Sequence, residues 1–209
     1  MNTRRFSWYM LAASFILSVG MAHAEVIYTF PSDYPSQLGL FSPTDTQLGR
    51  LSRNGIPQDW TGGELYPGEI NLTTTYGYET FAVDVMGYPY IQITVDSVAT
   101  TLFASAYENS YSPINKQLNW LGDAGSSGNY FGVDPIYFQV YVQPGSNLQV
   151  VINETTVNGG TGQSFGLMVE GFFDTQYNDK STVPEPSTIF LVCAGIVFLP
   201  LLRLRRSRG

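Results

Sequence analysis

Histidine and cysteine are almost missing from this chain: its 209 residues hold one of each. His23 sits near the N-terminus and Cys193 inside an apolar run near the C-terminus, so the stretch from 25 to 182 has neither. That absence removes whole classes of chemistry from the stretch. A Ser-His-Asp triad and a cysteine nucleophile are excluded. So are His- or Cys-ligated zinc, haem and iron–sulfur sites. Disulfides are excluded too, so the fold depends on its core, helped at most by a hard cation. Positive charge is also scarce. Residues 25 to 182 carry 16 Asp and Glu against 4 Arg and Lys, a net charge of −12. A surface of that sign repels nucleic acid and anionic membranes.

Helical periodicity is scarce as well, and a period of two recurs instead. Phe81, Val83 and Val85 alternate with Ala82 and Asp84. Ile91, Ile93 and Val95 alternate with Gln92, Thr94 and Asp96. Phe138, Val140 and Val142 alternate with Gln139, Tyr141 and Gln143, and Leu148, Val150 and Ile152 with Gln149, Val151 and Asn153. Phe165, Leu167 and Val169 make a last apolar face. One buried face and one wet face is the mark of antiparallel sheets. Met86-Gly87-Tyr88-Pro89 and Pro144-Gly145-Ser146-Asn147 supply turns between runs. Residues 108–116 and 122–129 read as longer polar loops, and 31–70 as an irregular region with short strands. The spacing predicts an all-β fold, an antiparallel β-sandwich of jelly-roll type.

The two ends read as targeting segments. Arg4 and Arg5 precede an apolar run, Phe6 to Val19, and Ala22-His23-Ala24 forms a small-x-small cleavage site. Residues 1–24 are therefore predicted to be a secretory signal peptide, helical across its apolar run, with Glu25 the mature start. Residues 25–173 are the sandwich domain and 174–182 a polar linker. At the other end, Val183-Pro184-Glu185-Pro186 leads into 17 uncharged residues, Pro186 to Leu202. As a helix these rise roughly 26 Å, the short end of what crosses a bilayer. Arg203, Arg205, Arg206 and Arg208 follow. Such a cluster stays cytoplasmic, and its long side chains reach the headgroups. A single C-terminal transmembrane helix is predicted, with the domain outside.

In that order of features, residues 183–209 resemble the PEP-CTERM protein-sorting domain of Gram-negative bacteria. The resemblance implies recognition by an exosortase, a membrane-embedded cysteine protease or transpeptidase. It implies an inner-membrane precursor whose tail is lost near Pro-Glu-Pro, and a product released or attached at the cell surface or matrix. It also implies a host that makes exopolysaccharide. Residues 78–172 loosely resemble bacterial pre-peptidase C-terminal domains and CUB-like sandwiches, through Leu121-Gly122-Asp123-Ala124-Gly125, the Tyr137–Val142 strand, a Pro-Gly turn and Phe165-Gly166-Leu167-Met168-Val169. That resemblance implies a non-catalytic accessory domain, with polysaccharide or calcium as ligands in some members.

Three chemistries remain open to the domain. Calcium takes six to eight oxygen ligands, and Glu108, Asp123 and Asp134 are the loop carboxylates that could converge. Sugar rings stack on aromatic faces, and Tyr107, Tyr111, Trp120 and Tyr130 cluster in sequence around the long loops. A carboxylate-only polysaccharide hydrolase would need two acids about 5 to 9.5 Å apart; Asp84, Asp96 and Glu170 are the acids on strand faces. The sequence favours a protein without catalytic activity or resident cofactor. Its expected partners are an exosortase, the inner membrane before processing, and exopolysaccharide, with no nucleic acid.

Overall fold

The computed structural model describes residues 24–60, 65–97, 99–128 and 135–175. These form ten strands: β1 (Glu25–Phe30), β2 (Gly39–Leu40), β3 (Asp45–Leu51), β4 (Glu69–Val83), β5 (Tyr90–Asp96), β6 (Leu102–Glu108), β7 (Trp120–Asp123), β8 (Ile136–Tyr141), β9 (Leu148–Glu154) and β10 (Ser164–Phe172). No helix occurs among the described residues. The strands make two five-stranded antiparallel sheets. One runs β1-β10-β5-β8, with β2 also paired to β10; the other runs β3-β4-β9-β6-β7. The predicted signal segment and C-terminal span lie outside the described residues.

The alternating residues explain the pairing. Ile91, Ile93 and Val95 from one sheet, and Phe81, Val83 and Val150 from the other, enter a single core between the sheets. An aromatic knot fixes one end of it. Phe30 stacks on Phe165 at 5.1 Å and tilts against Phe81 at 5.0 Å, and Phe41 meets the edge of Phe165 at 6.4 Å. Burial of each such ring contributes about 1.5–3 kcal/mol, which matters in a domain with no disulfide to assist it.

The outward faces are less wet than the alternation predicts. Gln92, Thr94 and Gln139 are buried although they point away from the core. In register across β10, β5 and β8, Glu170, Gln92 and Gln139 form a polar row: Gln92 donates to Glu170 at 2.9 Å and Gln139 donates to Gln92 at 2.9 Å. Amides that satisfy one another across strands tolerate being covered. The segment before β4 does the covering at one sheet edge. Gln58 N–H donates to Asp123 O on β7, and Gln58 C=O accepts from Gln139 N–H on β8. One residue thus ties the edge strands of the two sheets together and hides backbone groups that would otherwise invite another chain. Gly122 is needed there, because a Cβ would lie 2.6 Å from the Gln58 side chain.

Candidate functional site

The loop carrying 109–119 folds onto the outer face of the second sheet and builds a small core of its own. Tyr78, Tyr107 and Val151 are its buried members, with Tyr111 and Trp120 packed against them. Tyr107 lies 4.7 Å from Tyr111, Tyr78 5.2 Å from Tyr111, and Trp120 5.5 Å from Tyr66, centroid to centroid. The sequence grouping of Tyr107, Tyr111 and Trp120 is therefore real in space. Tyr107 is 1% exposed, however, so its ring offers no face to a sugar. Burial pushes the phenols of Tyr66, Tyr107 and Tyr111 well above the usual tyrosine value. They stay protonated, and Tyr111 donates to Gln47.

An ion pair fastens this cover. Lys116, 2% exposed, places Nζ 2.8 Å from Glu69 Oε2, 2.8 Å from Leu48 O and 3.0 Å from Pro113 O. The three protons of the ammonium are matched by three oxygens, as a buried charge requires. Glu69 also accepts from Tyr66 at 3.1 Å. Two buried donors, Arg50 Nε and Trp120 Nε1, find no partner among the described residues. Sequence reasoning missed Lys116 and Glu69. The signal was faint: Lys116 is the one lysine between 25 and 175.

The proposed metal ligands sit apart on their ladder. Asp123 pairs with Ser105, while Glu108 closes β6 three residues later, where its carboxylate accepts from Gln143 N at 3.1 Å. Asp123 Oδ1 accepts from Gly125 N at 2.8 Å, the geometry of a turn-forming aspartate. Asp134 and Tyr130 lie outside the described residues. Among the described residues no three His, Cys, Asp or Glu side chains are grouped to hold a metal ion. Asp96 and Glu170 stand four rows apart in the first sheet, about 13 Å by strand rise. Ala24 begins the described chain, whereas Ala22, Val183, Pro184, Glu185, Pro186 and the four C-terminal arginines lie outside it.

The two poles of the sandwich differ. At one pole Tyr88 meets both ends of the domain: its hydroxyl donates to Glu25, and its ring packs 4.5 Å from Phe173. At the other pole stands Glu154, 2% exposed at the end of β9. Its carboxylate accepts five hydrogen bonds, from the backbone N–H of Gly77, Asn158, Gly160 and Thr161 and from the Thr161 hydroxyl, at 3.1–3.2 Å. Orphan N–H groups of a Gly-rich loop are thereby gathered on one charged acceptor. Beside it opens a cleft of about 290 Å³, walled by residues 43–46 and by Val157, Asn158 and Thr161. Nothing in the strand pattern flags Glu154, because an acid that ends an apolar strand looks like an ordinary exit to solvent. No protein-family model matches the chain, and no curated protein matches its sequence.

Proposed function

We propose that this chain is an exported, non-catalytic protein of the cell surface or extracellular matrix, sorted by an exosortase through its C-terminal tail. One observation carries the reading: Val183-Pro184-Glu185-Pro186, an uncharged run to Leu202 and Arg203, Arg205, Arg206 and Arg208 occur in unbroken order. Each part has a physical role. The motif is stiff and extended, a shape an enzyme can read. The apolar run is a short membrane stop, and the charge cluster fixes orientation. The signal segment, with Arg4 and Arg5 ahead of its apolar run, calls for the same orientation. The domain suits this route. Glu25 and Phe173 meet at Tyr88, so the two ends of the domain lie at one pole.

The sandwich is a jelly roll in this reading. In support, β1-β10-β5-β8 faces β4-β9-β6-β7, and the chain changes sheet between β4 and β5, β5 and β6, and again from β7 through β10. That alternation is what two interlocked Greek keys require. Accessory binding to exopolysaccharide is the molecular role that the cleft beside Glu154 favours, since it joins threonine hydroxyls to the apolar faces of Pro43 and Val157. The test of sorting is replacement of Pro184, Glu185 and Pro186 by alanine in the native host. The variant should stay in the inner membrane with its tail attached; unchanged processing and unchanged surface location would defeat the proposal.

A further inference from the structure

The cleft beside Glu154 has the makings of a ligand site. It lies at the pole opposite Tyr88: β10 runs from Ser164, near the cleft, to Phe172, beside Tyr88, a span of roughly 27 Å. Its floor is fixed, because Glu154 holds Gly77 on β4 and the 158–161 loop at once. A Cβ on Gly77 would lie 2.7 Å from Pro43, so the wall opposite is also seated on backbone. Above this floor, Thr44, Thr46, Thr75 and Asn158 line an open mouth. Their side-chain hydroxyls and amide have no hydrogen-bond partner among the described residues. Pro43 and the half-exposed Val157 give the same cleft an apolar patch.

Those groups define a chemistry. Uncommitted hydroxyls and an amide, both donor and acceptor, match a ligand that carries hydroxyls around its rim. An apolar patch between them matches the C–H face of such a ligand. Among the described residues no cation lines the cleft, whereas Asp45 and Glu154 do. A carboxylated or sulfated ligand would therefore be repelled. We propose that this cleft binds one neutral saccharide unit. The site rests on the non-catalytic binding role proposed above and is independent of the sorting step.

The full chain, held in dodecylphosphocholine because that detergent carries no sugar, would be titrated with glucose, galactose and N-acetylglucosamine. Glucuronate is the charged contrast. Saturation-transfer and amide-shift NMR should show at least one neutral sugar bound, with a Kd of about 1 mM or tighter, and shifts confined to residues 43–46, 75–77 and 155–161. Thr46→Val and Thr75→Val keep side-chain volume and should each weaken binding about 3- to 10-fold. Thr80→Val, exposed on β4 outside the cleft, should leave it unchanged. Absence of binding by all three neutral sugars, equal binding of glucuronate, or wild-type affinity in both cleft variants would overturn the proposal. A negative result here leaves the sorting experiment untouched, since that experiment reads tail processing alone.

Discussion

Lys116 shows how much one buried charge can hold together. Its ammonium joins the 109–119 loop, the edge strand β3 and Glu69 at the start of β4. Removing one partner of such a pair leaves the others desolvated without compensation. Lys116→Met should lower the free energy of unfolding by about 3 kcal/mol, read from urea denaturation. Glu79 carries the opposite lesson. It is buried and accepts a hydrogen bond from Ser42 N, which fastens the strap after β2. Burial nevertheless pushes its pKa above the usual 4.5, by more than that hydrogen bond pulls it down. As pH rises from 4.5, Glu79 loses its proton more readily in the unfolded chain than in the fold. Its contribution to stability therefore falls until the folded group ionises too, and stays low above that point. Glu79→Gln keeps an acceptor for Ser42 N and removes the titration. Compared with wild type, the variant should gain stability between pH 4 and pH 7, as thermal melts at both values would show.

At the scale of elements, the loop 155–162 is held by a side chain rather than by its own sequence. In Glu154→Gln, one oxygen becomes an amide that faces at least two N–H donors. The variant should lose about 3 kcal/mol of stability. Amides of Asn158, Gly160 and Thr161 should exchange with solvent faster than those of strands β9 and β10. How far the elements could be read beforehand depended on what filled the alternate positions. β5, β8, β9 and β10 carry Val, Ile, Leu or Phe at every second residue, and their faces were legible. β6 reads Leu-Phe-Ala-Ser-Ala-Tyr-Glu: its inward residues after Leu102 are Ala104 and Ala106, too small to announce a buried face. β7 was hidden in what looked like a polar loop, since Gly122 and Asp123 are turn residues by composition. The outer faces misled for a different reason. Gln92 and Gln139 are polar by pattern but covered in fact, because their amides bond to each other, and no periodicity encodes that.

At the scale of the molecule, the proposed destination and the proposed ligand rest on different kinds of signal. Its destination rests on contiguous residues, which a sequence displays directly. The cleft rests on residues 43–46, 75–77 and 154–161, brought together only because β4 pairs with both β3 and β9. The aromatic cluster around Tyr107 was visible as a group yet not as a buried one, since burial depended on Lys116 closing the loop over it. The two poles give the domain a direction: both of its ends at Tyr88, and an open cleft about a strand's length away. Such an arrangement fits a protein held or released at one end and presenting the other. Intact-mass spectrometry of the mature protein from its native host tests the sorting account most directly. The account predicts a chain that begins at Glu25 and ends near Pro184-Glu185-Pro186, without the apolar run or its arginines. A mature mass that retains Arg208 would contradict it.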